Sequence, residues 1–233
     1  PGHHGCSTGR IRQFMKRLRV TVLISGNGSN LQALIDARAG GRLDIDIVLV
    51  ISNRPDARGL QRAKEAGIPT LVIDHTSFPD RARFDDELAS SITAGSPDLV
   101  VLAGFMRIIG TAVLTPLEGR MINLHPSLLP LYRGTNTYQR ALDAGDSEHG
   151  ASIHFVSEEL DGGPELSQLR IPILPQDDNG SLARRLAPME HRLLVATVEF
   201  LTRHTVECRN EEIHVDGEIL TCPLLLHADD TLS

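Results

Sequence analysis

Tryptophan is absent from this 233-residue chain, and aromatic residues of any kind make up only 3% of it. Proteins that hold single-stranded nucleic acid stack its bases on aromatic side chains, so this composition disfavours that class. Positive charge is in the minority too: 23 Lys and Arg stand against 30 Asp and Glu, a formal charge of −7. A surface of that sign repels phosphate backbones and anionic lipid, so no nucleic acid and no membrane is expected as a partner. No apolar run approaches the roughly 20 residues needed to span a bilayer. Cysteine is scarce: Cys6, Cys208 and Cys222 are widely spaced and odd in number. That pattern is neither a disulfide framework nor a zinc site, and it reads as free thiols in a reducing, cytoplasmic compartment.

Several catalytic signatures are missing as well. No G-x-S-x-G elbow presents a serine nucleophile. H-E-x-x-H is absent and the ten histidines show no ligand spacing, so no metal is expected. The beginning, PGHHGCSTGRIRQFMKRLR, is polar and basic, without the apolar stretch and small-residue cleavage site of a signal peptide. It is expected to be disordered.

What is present is an alternation of short apolar runs and helical segments. Strands are expected at 19–25, 46–52, 70–74, 98–103 and 120–125, with helices over 29–40, 56–67 and 78–95. Near-continuous Val, Ile and Leu in such runs means burial on both faces, hence a parallel sheet covered by helices. After Pro130 the style changes. Two longer strands, 150–157 and 164–173, flank a turn at SEELDGG, a helix covers about 180–204, and a β-rich stretch, EEIHVDGEIL, follows. Pro188 removes a backbone donor and is expected to kink or divide that helix. The expected architecture is α/β, a doubly wound, mostly parallel sheet with an antiparallel C-terminal extension.

Ligands of such sheets sit at the carboxyl ends of the strands. The first strand ends in ISGNGSNLQ. Gly26 and Gly28 permit a tight turn, and Ser29 or Asn30 is expected to cap the helix, whose free N–H groups and positive end favour an anion. An anion site and an ordinary strand–helix turn explain the glycines equally well. Leu31 stands where a dinucleotide loop has its third glycine, no Lys is placed as in a P-loop, and the second strand ends in Ser52 and Asn53 with no carboxylate for a ribose. A monophosphate fits better than NAD or ATP.

The fifth strand ends in INLHPSLLP, where Asn123 and His125 share one face. A neutral imidazole takes or gives a proton near pH 7, and a carboxamide N–H stabilises an oxyanion without titrating. Tying down a proline-rich loop is the plainer role for either residue alone. A carboxylate is the expected third member, to orient the imidazole and favour its charged form. Asp161, in the tight turn before Gly162 and Gly163, is the candidate, with Glu158 and Glu159 as solvent-facing neighbours. With no enzyme nucleophile in sight, the chemistry left is direct attack of a substrate nucleophile on a carbonyl, with proton transfer by His125.

LISGNGSNLQALID, LVVLAGFMRII, INLHPSLLP and HGASIHFVSEELDGGP, in this order and spacing, resemble the folate-dependent phosphoribosylglycinamide formyltransferases. The N-x-H-P-S-L-L-P and D-x-G elements are those of the wider formyltransferase and formyltetrahydrofolate hydrolase superfamily, and G-N-G-S-N points to the glycinamide ribonucleotide branch. The likeness runs from about 19 to about 205, between a basic tail (1–18) and a β-rich tail (206–233). It implies formyl transfer from 10-formyltetrahydrofolate, a co-substrate, to the amine of a ribonucleotide monophosphate in a cytoplasmic monomer or homodimer. By the same likeness Gly28, Ser29 and Asn30 would hold the phosphate and Glu190 the ribose hydroxyls. Met106, Arg107, Ile108 and Ile109, with the loop 157–161, would line the pterin pocket, and Arg81 would serve the folate. His125 would be the general acid, Asn123 would stabilise the tetrahedral intermediate and contact folate, and Asp161 would raise the histidine pKa. His154 is read either as support for this group or as a satisfied core histidine. The sequence departs from the family pattern at Arg133, Asn136 and Tyr138, and Glu165 and Ser167 enter a strand expected to be buried. A formyltetrahydrofolate hydrolase and a non-catalytic folate- or nucleotide-binding protein are the alternatives.

Overall fold

A computed structural model describes residues 10–11 and 17–233 of the chain. Most of the segment expected to be disordered, with Cys6, lies outside the described residues. The first half runs β1 (Arg10–Ile11), β2 (Leu18–Ile24), α1 (Ser29–Ala39), β3 (Ile45–Ser52), α2 (Arg58–Glu65), β4 (Thr70–Val72), α3 (Arg81–Ala94), β5 (Leu99–Leu102), α4 (Thr111–Leu114) and β6 (Met121–His125). The second half continues with α5 (Thr137–Ala144), β7 (Glu148–Phe155), β8 (Glu165–Pro172) and α6 (Asn179–Arg203). It closes with β9 (Val206–Arg209), β10 (Glu212–Val215), β11 (Glu218–Ile219) and β12 (Leu224–Leu225).

Eight strands form one sheet in the order β12-β8-β7-β6-β5-β2-β3-β4, parallel except where β7 pairs with β6 and β8. The chain starts in the middle, at β2, winds outward through β3 and β4, then returns to place β5 and β6 on the other side. The reversal lies between β2 and β5, the place where such sheets leave a crevice at their carboxyl ends. A small antiparallel sheet, β1-β9-β10-β11, stands apart.

Alternation along each strand divides the core. Val20, Val22 and Ile24 of β2 pack with Leu31 and Leu34 of α1, Leu60 of α2 and Leu193 and Leu194 of α6. Leu23 faces the other way, with Val100 and Leu102 of β5, Phe84 and Leu88 of α3 and Val113 of α4. Each such side chain, wholly removed from water, contributes about 1.5–3 kcal/mol. In β6, Met121 belongs to this second cluster, while Ile122 and Leu124 belong to the first. The same parity sends Asn123 and His125 to the side of Met121.

Two expectations need correction. Of the kink or division expected at Pro188, the division does not occur: α6 runs unbroken from Asn179 to Arg203. Buried leucines on both sides of the proline hold the helix to the sheet, and tertiary packing outweighs the single backbone bond it loses. The polar residues of β8 also find places. Ser167 is buried 2.7 Å from the Thr197 hydroxyl, which itself donates to the Leu193 carbonyl. Glu165 is only half-buried.

Candidate active site

The turn after β2 differs in detail from expectation. Ser29 and Asn30 do not cap α1; they lie inside its first turn, and the cap position is Gly28, at φ 71° with no side chain bonded to the helix end. The reason is crowding. A β-carbon on Gly28 would lie 2.6 Å from the Gly59 Cα at the start of α2, so only glycine fits this left-handed corner. Arg62 of α2 donates from Nε to the Asn27 carbonyl at 2.9 Å and steadies the loop from outside. The first N–H groups of α1 are thus left without a capping side chain, the arrangement that suits an anion.

Ser25 joins this turn to its neighbours. Its hydroxyl donates to Asn53 Oδ1 (2.5 Å), at the end of β3, and accepts from the Met106 N–H (2.7 Å), beyond β5. Holding Met106 by its backbone leaves its side chain 78% exposed, so Met106 does not line the cleft as expected. Arg107, Ile108 and Ile109 do, facing Asp161 and the rest of the 157–161 loop, with Leu102, Phe105, Asn123, His154 and Val156 completing the walls. Arg81 reaches this wall from α3, donating to the Ile108 carbonyl at 3.2 Å and to Asp85 at 3.3 Å. A larger cavity of about 570 Å³ lies behind the same loop, lined by Glu118, Glu211 and Cys208; it shares Val156 and residues 157–159 with the cleft but none of Asn123, His154 or Asp161.

Asn123, His125 and Asp161 come together. Asp161 occupies a left-handed corner (φ 48°), which Asp tolerates better than most residues. A β-carbon on Gly163 would lie 1.9 Å from the Phe155 carbonyl, so the D-G-G turn closes only with glycine there. Asp161 Oδ2 lies 3.4 Å from His125 Nδ1 and accepts from the Gly134 N–H at 2.9 Å. Its Oδ1 lies 3.4 Å from Asn123 Nδ2 and 3.6 Å from His154 Nε2. Glu158 and Glu159 stay outside, bonded to Thr111 and Arg133.

His154 is part of this group. It sits directly opposite Asn123 across the β6–β7 pair, and on its other side the β7–β8 register shifts between Ile153 and His154, Leu166 being the extra residue on β8. Its Nδ1 lies 2.9 Å from the Phe155 carbonyl, which only accepts, so Nδ1 carries a hydrogen. In the neutral ring Nε2 is then an acceptor, and Asn123 Nδ2, 3.1 Å away, donates to it. The Asn123 N–H groups are thereby engaged by His154 and Asp161.

Burial dominates the electrostatics. Desolvation pushes His125 below the usual histidine value, against the opposite pull of the Tyr132 carbonyl and the Asp161 charge. Asp161 does pull this pKa upward, as expected, but burial outweighs it and the ring stays neutral near pH 7. Burial would likewise raise Asp161, yet the nearby His154 ring, the bond from the Gly134 N–H and the nearby His125 hold it below the usual carboxylate range. On α6, desolvation raises Glu190, partly offset by the Tyr138 hydroxyl 3.2 Å away. Glu190 joins Tyr138 rather than Arg184 or Arg185; the latter binds Asp177. Tyr138 in turn packs 5.2 Å from His149, a ring 1% exposed whose pKa burial also lowers.

These shifts predict a pH dependence of stability. His125 and His149 titrate near the ordinary value of about 6.5 in the unfolded chain but lower in the fold. As pH falls below about 6.5 the unfolded chain therefore takes up protons first, and native stability falls with pH until the folded-state pKa values are passed. Denaturant unfolding between pH 7 and 5.5 reads it directly, and a flat midpoint over that range contradicts the burial argument.

The anion turn and the Asn123–His125 rim are separated by one strand, β5, hence by two strand spacings of roughly 10 Å. Sequence reasoning missed the Tyr132 carbonyl, the Gly134 N–H, Ser25, Phe105 and Val156. Of these Ser25, Phe105 and Val156 lie inside the quoted motifs and had a sequence signal to follow; the two backbone groups had none. Among the described residues, no group of three or more His, Cys, Asp or Glu is placed to hold a metal ion, and no helix is long and apolar enough to cross a membrane.

Comparison with known proteins agrees with this geometry. The formyl transferase family model matches residues 18–198. A phosphoribosylglycinamide formyltransferase from Escherichia coli is 41% identical over 203 residues, 87% of this chain and 96% of that protein. The trifunctional purine biosynthetic protein adenosine-3 of Drosophila melanogaster is 50% identical over 178 residues, 76% of this chain but only 13% of that much longer protein. The solved phosphoribosylglycinamide formyltransferase of Coxiella burnetii superposes with a TM-score of 0.84 at 47% identity, over 88% of this chain and 97% of that one. By fold, by the residues gathered at its sheet rim and by these relatives, the chain belongs to the phosphoribosylglycinamide formyltransferases of the formyl transferase family.

Proposed function

We propose that this protein transfers a formyl group from 10-formyltetrahydrofolate to the primary amine of 5-phosphoribosylglycinamide, in the cytoplasm and without a metal. The observation that carries the reading is the meeting of Asn123, His125 and Asp161 at the rim of a cleft walled by 107–109 and 157–161.

The amine lone pair attacks the formyl carbon, the carbonyl electrons move to oxygen, and a tetrahedral intermediate forms. His125, neutral through burial, accepts the proton that the amine sheds; Asp161 beside it stabilises the imidazolium. Collapse restores the carbonyl and breaks the bond to N10, which takes the proton back from His125 as tetrahydrofolate leaves. The general acid of the second half is thus made by the first. Asn123 faces the developing oxyanion. To offer it an N–H, Asn123 exchanges its bond to His154 Nε2 for one to the oxyanion, while its other N–H stays with Asp161 Oδ1, 3.4 Å from Nδ2.

Binding divides between two ends. Gly28, Ser29 and Asn30 hold the phosphate through main-chain N–H groups, and Glu190 accepts from the ribose hydroxyls with the carboxylate oxygen that Tyr138 leaves free. Arg107, Ile108 and Ile109 flank the pterin; Met106 and Arg81 serve the folate outside the cleft, where its charged tail meets solvent.

Steady-state assays with 10-formyltetrahydrofolate, with and without glycinamide ribonucleotide, test this. Tetrahydrofolate formation that requires the amine is the expected result. Equal release without it would mean water is the acceptor, and no turnover would leave a binding protein.

A further inference from the structure

The segment between Pro130 and α5 departs from the family pattern in its side chains, yet it grips both members of the proton-transferring pair through its backbone. The Tyr132 carbonyl lies 3.0 Å from His125 Nε2, and two residues on, the Gly134 N–H donates to Asp161 Oδ2 at 2.9 Å. A carbonyl only accepts, so His125 Nε2 carries a hydrogen. The other nitrogen, Nδ1, then stands bare in the neutral ring, 3.4 Å from a carboxylate oxygen that is itself an acceptor. Two acceptors facing each other at that distance define a place for a single incoming proton.

The loop is fastened so that it can do this. Tyr132 and Gly134 both take positive φ, 56° and 81°, which turns the intervening peptides toward the site. The Tyr132 hydroxyl donates to Asp146 Oδ2 at 2.5 Å, and the Arg140 guanidinium lies 5.2 Å from the Tyr132 ring centre while donating to the Arg133 carbonyl at 2.6 Å. Ser127, fully buried, donates to the Leu131 carbonyl at 2.6 Å and fixes the near end.

We infer that the 132–134 segment, tethered by Asp146 and Arg140, is a backbone clamp that fixes the tautomer of His125 and so makes Nδ1, facing Asp161, the nitrogen that receives the working proton. Tyr132, Asp146 and Arg140 are positioning residues. This rests on the reading of His125 as the proton-transferring group, but its first consequence belongs to the resting protein. The groups facing the ring are Asp161 from the β7–β8 turn, His154 and His149 from β7 and Arg140 from α5. Asp161 favours the added proton; His154, His149 and Arg140 oppose it when charged.

Nitrogen-15 NMR of the whole protein, with no substrate, decides the tautomer. The His125 resonances are identified by their loss in His125→Gln. Nε2 is expected to remain protonated through the titration while Nδ1 alone changes from bare to protonated. A protonated Nδ1 and a titrating Nε2 in the resting protein would overturn the inference, whether or not formyl transfer is observed. Tyr132→Phe and Asp146→Asn each cut the tether without touching substrate. Both are expected to move the His125 midpoint to lower pH, because the carbonyl bond favours the charged ring. Both should lower kcat by about three- to tenfold, the scale of one hydrogen bond, with both KM values little changed. An unmoved midpoint, or a raised KM at unchanged kcat, would reduce the segment to an ordinary loop. If neither variant folds, the wild-type tautomer alone upholds or overturns the clamp.

Discussion

His125→Ala is expected to lower kcat by about 10²–10⁴-fold, the usual contribution of a positioned acid–base group. The imidazole is 5% exposed, bonded at Nε2 to the Tyr132 carbonyl with Nδ1 3.4 Å from Asp161, a position no neighbouring group can fill. His154 comes nearest, but its Nδ1 is committed to the Phe155 carbonyl and its Nε2 to Asn123. Alanine also leaves a void and an unanswered Tyr132 carbonyl, so part of any loss could come from unfolding. His125→Gln separates the two effects, since an amide fills the space and donates to Tyr132 yet cannot shuttle a proton. It should lose nearly as much kcat while keeping the wild-type melting temperature. Wild-type turnover in either variant would remove His125 from the chemistry.

Gly28→Ala is expected to raise the KM for the ribonucleotide about tenfold or more while leaving the KM for the formyl folate within about twofold. The left-handed conformation alone costs an alanine about 1–2 kcal/mol. The larger difficulty is steric, because the new methyl would sit 2.6 Å from the Gly59 backbone, which has no flexible side chain to move aside. The turn must open, and the N–H groups at the start of α1 then point away from where a phosphate would lie. Parallel measurement of the two KM values locates the damage. Equal increases would show general disruption, and no change would place the phosphate elsewhere.

The parallel half of the sheet was legible because its strands are buried on both faces, and runs such as VLVIS have no other comfortable place. The rim residues were legible for the opposite reason. Asn123 and His125 interrupt such a run with polar groups in the period of a strand, and Asp161 announces its turn through the glycines that follow. What escaped was of two kinds. Helix α5 buries only Thr137 and Ala141, too little apolar periodicity to stand out beside the proline-rich segment before it. The Tyr132 carbonyl and the Gly134 N–H belong to every residue type except proline on the donor side, so no letter in the sequence advertises them. The outward direction of Met106 was not legible either: it follows from the hold of Ser25 on its backbone after the Gly104 corner (φ 78°). His154 was ambiguous in the sequence because a core histidine and a supporting one use the same two hydrogen bonds; only its position opposite Asn123 tells them apart.

Strand β12 is two residues long, yet it covers the flank of an eight-stranded sheet. Leu224 and Leu225 run along β8 beside Ser167 and Gln168, and Asp230 latches the same stretch to Arg192 of α6 at 2.5 Å and to Arg42 at 2.9 Å. Without this cover the middle of β8 would present a row of free N–H and C=O groups, an open template for another chain. The two arginines therefore hold in place the strand that covers this flank of the sheet.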